Sequence, residues 1–276
     1  MQRLLIAGFG DIALRALERL ERRFEVTRLS RSYGFDLDRP ASLAIEGADA
    51  LLHCAPPPKQ GEADTRTANL LAALEKGRIL PARVVYVSTS GVYGDCGGAR
   101  VDESWPLSPN TARARRRVDA ERTLQRWSEF HNVKLAVLRA PGIYAADRLP
   151  RLGTPVLRAE DDVYTNHIHA DDLATIACRA LEDDAPAGIY NASDDSEIKM
   201  GDWLDLVADF CSLPRPERVA RAEAARRLAP DVFSFMSESR RLDNRRLKSE
   251  LGVRLKFPTV YDGLKHEHAP RIDQPA

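Results

Sequence analysis

Short apolar runs alternate with longer stretches of helical period through the first half of the chain. Runs at positions 3–7, 25–29, 50–54, 84–88 and 134–139 read as strands. Between the first two, Ala13, Ala16, Leu17, Leu20 and Phe24 fall on one stripe of a helix that begins near Asp11, and the stripe must cover a sheet. This rhythm predicts βαβ units and a doubly wound parallel sheet of the α/β class. After Pro141 the pattern changes. A loop punctuated by Pro and Gly reaches Pro155, followed by a strand near 163–168, a helix over 171–182, a short strand over 188–192 and a helix over 202–212. The tail from Leu213, rich in Arg and Pro, is expected to wrap the carboxyl edge of the sheet. The expected division is a core over 1–145 and a substrate-side lobe over 146–276, interleaved with the sheet edge. No repeat or low-complexity tract is visible.

Composition narrows the function classes. A chain of 276 residues with 43% hydrophobic content can build one large domain, or one domain with a smaller appendage. Its 41 basic and 41 acidic residues cancel, so the positive field that draws proteins to nucleic acid or anionic membranes is missing. Neither is expected as a partner; a small-molecule substrate is. The apolar runs are too short for a signal peptide or a membrane span. Cys54, Cys96, Cys178 and Cys211 form no CxxC pair, which points to reduced thiols in a cytoplasmic protein, with no zinc site or disulfide frame.

Directly after the first strand stands Gly8-Phe9-Gly10-Asp11-Ile12-Ala13, a GxGxxA pattern that opens a helix. The first Gly permits a tight turn, the second lets the backbone approach a pyrophosphate, and Ala13 allows close packing of helix on strand. The free N–H groups of the helix start then face the phosphates. An ordinary strand-to-helix turn with small residues is the bland alternative. At the end of the second strand an acidic residue would select NAD through the ribose 2′-hydroxyl; the chain instead reads Arg28-Leu29-Ser30-Arg31-Ser32. A guanidinium at Arg31 suits a 2′-phosphate, so NADP is preferred over NAD, the alternative being that Arg28 and Arg31 are solvated surface charges.

The stretch from Val84 through Ser88-Thr89-Ser90-Gly91-Val92-Tyr93-Gly94-Asp95 resembles the fourth-strand end of extended short-chain dehydrogenase/reductases, the group of nucleotide-sugar epimerases and dehydratases. Further matches are Asp102-Glu103-Ser104 with Pro106, Leu138-Arg139-Ala140-Pro141-Gly142-Ile143-Tyr144, His167-Ile168-His169-Ala170-Asp171-Asp172-Leu173-Ala174 and Tyr190-Asn191-Ala192-Ser193. They cover most of the chain in the right order. The resemblance implies a Rossmann domain with a carboxyl-terminal substrate lobe. Its usual chemistry uses a Ser or Thr that holds the reacting oxygen, a Tyr that moves the proton, and a Lys four residues later. It aligns Thr89 with the Ser/Thr, with Ser88 and Ser90 beside it; hydrogen bonding at a strand end is the bland alternative.

The YxxxK pair is absent. Counting back from Ala120-Glu121 puts Arg113 where Tyr would stand and Arg117 where Lys would stand, on one helical face. A guanidinium, with a pKa above about 12, cannot donate a proton near neutrality. This departure resembles the atypical branch of the family. Arg117 is expected to grip the cofactor ribose or a phosphate, and Arg113 an anionic group, or both simply line a solvated helix. Tyr93, Tyr144 and His167 are the replacement proton carriers to consider, with Asn166 beside His167 and Tyr144 near the substrate. For Tyr93, packing under the cofactor loop is the stronger reading. His169 is expected to be structural and Asp171 or Asp172 a helix cap. His53 is expected to be satisfied locally, with residues 55–58 forming a rigid wall near the cofactor. Near the end, Arg240 or Arg241 could reach a substrate phosphate or carboxylate, or pair with Glu238 or Asp243; Arg241 is carried forward as a substrate residue. His266 and His268, in the polar tail, carry little weight. The first functional reading is an NAD(P)-dependent oxidoreductase or epimerase-like enzyme acting on a nucleotide-linked sugar or small polar carbonyl compound. The alternative is a non-catalytic NADP-binding regulatory protein. The oligomeric state stays open: the arginine-rich helix over 111–127 disfavours the four-helix dimer of some relatives.

Overall fold

The computed structural model describes residues 1–77 and 79–265. Six parallel strands form the central sheet: β1 (Gln2–Ala7), β2 (Phe24–Leu29), β3 (Ala50–His53), β4 (Arg83–Thr89), β5 (Lys134–Ala140) and β6 (Gly188–Asn191). Their spatial order is β6-β5-β4-β3-β1-β2. The order turns around at β1, where β2 lies on one side and β3 on the other, each in parallel register. That reversal opens a crevice at the carboxyl ends of the strands, the usual ligand position of a doubly wound sheet. Beyond β2 the Rossmann order would carry one more strand. Here the chain makes 3-10 turns at Arg31–Tyr33 and Pro40–Ser42 instead.

Alternation along the strands divides the core into two layers. Leu4, Ile6, Leu52, Val85 and Leu138 face α1 (Asp11–Glu21) and α4 (Ala170–Ala180). Leu5, Leu51, Val84 and Tyr86 face α2 (Thr65–Lys76) and α3 (Ala112–His131). The α1 stripe buries Ile12, Ala13, Ala16 and Leu20, while Phe24 belongs to β2 rather than to the helix. Asp64 caps α2 by accepting from the N–H groups of Arg66 and Thr67; Thr111 caps α3 by accepting from Ala114 N.

Residues after 145 contribute both β6 and α4 to this sandwich, then build short ladders over the crevice. The expected strand at 163–168 is two separate strands. Tyr164–Thr165 pairs with Ile198–Lys199, and His167–His169 pairs with Gly142–Tyr144. The expected helix at 202–212 begins earlier, as α5 (Met200–Phe210). Three short helices, α6 (Arg221–Arg227), α7 (Pro230–Phe235) and α8 (Arg245–Ser249), follow, with α9 (Val260–Lys265) last. Between α7 and α8, Arg241–Leu242 returns to pair in parallel with Arg100–Val101. Neither Asp171 nor Asp172 caps α4. His169 does, through Nδ1, which accepts from Asp171 N at 3.2 Å, and Asp172 instead accepts from the N–H groups of Lys256 (2.8 Å) and Phe257 (2.9 Å). His266 and His268 lie outside the described residues.

Candidate active site

The crevice begins where β1 ends. Gly8 has φ +85° and donates its N–H to Leu29 O at 3.0 Å; a Cβ there would run into the main chain of Cys54 and Ala55. Gly10, at φ −105°, is the N-cap of α1, with open space where its Cβ would stand. The two glycines and Asp11, Ile12 and Ala13 line a cleft of about 390 Å³, which also reaches Val87, Ser88, Thr89 and Arg117. The first-turn N–H groups of α1 open on this cleft, and a diphosphate fits that cradle because no side chain fills the space at Gly10. The Asp11 carboxylate at the same helix start is neutralised by Arg15 at 2.7 Å and Arg148 at 3.3 Å. Arg148 also lines the cleft, a cationic group that sequence reasoning missed because it comes from the far side of the crevice.

A recess of about 150 Å³ continues past Gly8 between Ser30, Arg31, Asp36 and Arg66. Arg31 is exposed at its mouth. Arg28 is not there: it lies over the rings of Phe9 and Tyr33, with centroid distances of 4.7 and 5.6 Å. Arg66 is held by Asp38 through bonds of 2.8 and 2.6 Å.

Thr89 lines both the dinucleotide cleft and a further cavity of about 190 Å³. Its Oγ1 accepts from Gly91 N at 3.2 Å. The expected pair on α3 divides between these two spaces. Arg117 lines the cleft, and its Nη1 donates to Tyr86 Oη and Val87 O, both at 2.9 Å. Arg113 lines the cavity and lies over the Phe235 ring at 4.4 Å.

Ser88 belongs to a buried polar chain. Its Oγ donates to Glu121 Oε1 at 2.5 Å, Glu121 pairs with Arg139 at 2.8 Å, Arg139 donates to Tyr93 Oη at 2.9 Å, and Tyr93 donates to Asn191 Oδ1 at 2.8 Å. Burial pushes the Tyr93 phenol up to about 12, against the nearby Arg139 charge. Tyr93 is fully buried, as the packing reading has it, and lines neither space.

Tyr144 and His167 are also buried away from the crevice. Tyr144 donates to Thr259 O at 3.2 Å and packs on Trp203. His167 stacks on Trp203 at 4.4 Å behind Gly142, and burial pushes its imidazole down to about 3. It is therefore neutral near pH 7. Asn166 lines the 190 Å³ cavity, but its amide is committed: Nδ2 donates to Arg240 O at 2.9 Å and Oδ1 accepts from Leu242 N at 2.8 Å. Arg241 points elsewhere, donating to Gly98 O at 2.9 Å and lying over Tyr164 at 5.0 Å; Arg240 is the one that lines the cavity, paired with Glu238 at 2.9 Å. Glu238, which the sequence reading offered as a partner for this arginine, lines the cavity as well, and so does Tyr164, which it did not select. His53 is only half satisfied locally: its Nε2 bonds with Thr67 Oγ1 at 2.8 Å, while its buried Nδ1 has no hydrogen-bond partner among the described residues. Cys54 lines the cleft with its thiol pushed up to about 12 by burial, which leaves it protonated and inert.

A crevice at the strand-order reversal, floored by a positive-φ glycine and a free helix start, defines a Rossmann-type dinucleotide-binding protein. The model of the NAD dependent epimerase/dehydratase family matches residues 14–193, and the chain belongs to that family. Among solved structures, a conserved protein of unknown function from Silicibacter pomeroyi is 30% identical, with a TM-score of 0.77 over 96% of this chain and 97% of that one. Two others share the fold at lower identity. A UDP-glucose 4-epimerase from Thermus thermophilus in complex with NAD is 21% identical, with a TM-score of 0.74 over 96% and 97% of the two chains. A human epimerase family protein with NADPH is 19% identical, with a TM-score of 0.75 over 95% and 98%. No curated protein matches the chain. Among the described residues no helix is long and apolar enough to cross a membrane.

Proposed function

We propose that the protein is an NADP(H)-dependent oxidoreductase or epimerase-like enzyme of the atypical extended branch, acting on a carbon–oxygen centre held at Thr89. The observation that carries this reading is the position of Thr89, whose side chain borders both the dinucleotide cleft and the 190 Å³ cavity, so a substrate oxygen bound there adjoins a cofactor. When bound, the nicotinamide supplies or accepts a hydride. The chain's own groups do the rest. Main-chain amides at Asp11, Ile12 and Ala13 hold the diphosphate, with Arg148 above them and Ser88 on the cleft floor. Arg31 takes the ribose 2′-phosphate at the recess mouth. Arg117, steadied by Tyr86 and Val87, reaches the cofactor side of the cleft in the position of the family's Lys. Thr89 orients the substrate oxygen.

A second reading has a specific observation in its favour. Arg113 stands where the proton-moving Tyr is expected, and Tyr93, Tyr144 and His167 are all buried behind the crevice, as a non-catalytic NADP-binding regulator would allow. One set of measurements decides between the readings. NADPH and NADH are titrated by fluorescence, followed by turnover against carbonyl compounds and nucleotide sugars. The enzyme reading expects NADPH preference and turnover; tight NADPH binding with no turnover supports the regulator. Arg31→Asp is expected to weaken NADPH by more than tenfold with little effect on NADH, because it replaces a guanidinium–phosphate contact by a carboxylate suited to the 2′-hydroxyl. Equal losses for both nucleotides would remove Arg31 from the site.

A further inference from the structure

The mouth of the dinucleotide cleft carries a charge of the wrong sign for its task. Asp11, the first residue of α1, lines the cleft with its carboxylate at the helix end that faces a diphosphate. An acidic side chain there suits the helix dipole, but a diphosphate drawn by the same free N–H groups meets its charge. Binding therefore depends on what covers that carboxylate.

Two arginines cover it, and they are committed to different degrees. Arg15, one turn along α1, donates from Nε to Asp11 at 2.7 Å, from Nη1 to Asp171 at 2.8 Å and from Nη2 to Asp147 at 2.5 and 2.7 Å. Every nitrogen is in use, and the side chain is only 19% exposed. Arg148 is held more loosely. It ends the short turn Ala146–Arg148 that follows the pairing of Gly142–Tyr144 with His167–His169. Its two side-chain contacts are long, Nη1 to Asp11 and Nε to Ile143 O, both at 3.3 Å, and among the described residues Nη2 has no partner. The side chain is 46% exposed and lines the cleft. A half-exposed ion pair of this kind is weak, whereas a guanidinium with a free donor edge can bond a phosphate through two nitrogens. The turn does not depend on the Arg148–Asp11 pair, because Asp147 anchors it to Arg15. Arg148 can change partner while the turn stays on α1.

We propose that Asp11 is a stand-in for the diphosphate: it holds Arg148 at the cleft mouth until a dinucleotide arrives and then yields it, while Arg15 keeps the Asp11 charge covered throughout. The inference rests on the dinucleotide reading and adds how affinity at that site is set. The incoming nucleotide has to displace Asp11 from Arg148, so Asp11 weakens binding and favours release of the spent nucleotide. Both nicotinamide dinucleotides contain the diphosphate, so the exchange acts on NADPH and NADH alike, unlike Arg31.

The test is a double-mutant cycle over Asp11→Asn and Arg148→Gln, read by calorimetric titration of the full chain with NADPH and with NADH. Asp11→Asn should tighten both nucleotides about fivefold, and Arg148→Gln should weaken both about tenfold. In the Arg148→Gln background, Asp11→Asn should gain less than twofold, since no guanidinium is left to release. Glu18→Gln removes an equal charge from an exposed position of α1, where the partner is Arg22, and should change neither affinity. Urea unfolding without nucleotide checks that each variant folds, and Asp11→Ser repeats the first arm so that a defect peculiar to Asn is not read as an effect on binding. Unchanged or weaker binding in both Asp11 variants, additive effects of the two substitutions, an equal gain from Glu18→Gln, or coupling for one nucleotide alone would overturn the exchange. Failure of the natural chain to bind either nucleotide is a different result: it removes the dinucleotide reading itself, and the exchange falls with it.

Discussion

Gly8 and Gly10 stand two residues apart and are glycines for different reasons. Gly8 combines a left-handed φ with main-chain contact from Cys54 and Ala55, so Gly8→Ala strains the fold itself. It is expected to cost about 1–3 kcal/mol of stability as well as dinucleotide binding. Gly10 has ordinary φ and empty space at its Cβ position. Gly10→Ala should therefore unfold at the same denaturant concentration as the natural chain while binding NADPH at least tenfold more weakly, because the methyl group occupies the phosphate's approach. Fluorescence titration beside urea unfolding reads both effects; a Gly10→Ala protein with unchanged NADPH affinity would move the diphosphate elsewhere. The motif was legible in the sequence because its reasons are local. The assignments at His167, Tyr144 and Arg241 were not, since each depends on which way a side chain turns in a ladder formed with distant residues. Arg240 immediately precedes the two-residue strand that Arg241 opens, in extended chain where adjacent side chains point to opposite sides and sequence alone does not say which side is the cavity.

At the level of elements, the Ser88–Glu121–Arg139–Tyr93–Asn191 chain ties β4, α3, β5, the turn after β4 and β6 into one unit behind the crevice. Arg139 and Glu121 are almost completely enclosed, with side-chain exposures of 3% and 1%. Removing one partner leaves the other charge buried and unpaired. Glu121→Ala is accordingly expected to lose about 3–5 kcal/mol in urea unfolding, and the double change Glu121→Ala with Arg139→Met should recover part of it. No recovery would mean that the cost lies in the hydrogen bonds to Ser88 and Tyr93 rather than in an orphaned charge. Strands β1 to β5 and helix α1 were readable from apolar runs because a parallel sheet buried on both faces writes itself as such runs. The 163–168 stretch reads as one strand in the sequence and folds as two. Asn166 breaks it by spending its amide on Arg240 and Leu242, more than 70 residues away, and no local pattern records that bond.

For the whole molecule, three buried groups shape stability against pH. His53 and His167 are pushed down to about 3, chiefly by burial, with the Arg117 charge adding at His53. The unfolded chain binds their protons below about 6.5 and the folded chain does not, so their contribution is complete above 6.5 and is lost as the pH falls toward 3. Asp194 is pushed up to about 8 by burial, with Oδ2 unpaired. It acts in the opposite sense: its contribution is present at acid pH and is lost as the pH rises from about 4 to 8. Two groups outweigh one below 6.5, and Asp194 acts alone above it. The melting temperature should therefore peak near pH 6–7, and Asp194→Asn should flatten the alkaline decline; an unchanged decline would place its cause elsewhere. The pairing of Arg241–Leu242 with Arg100–Val101 has a further consequence, in the order of events during synthesis. A nascent chain emerges amino terminus first, so the glycine turn and most of the sheet are available to fold while the ribosome is still about 140 residues from delivering the ladder's second half. The dinucleotide pocket can thus mature early, whereas the wall bearing Glu238 and Arg240 is the last to be laid, and until then the space beside Thr89 stays open to water.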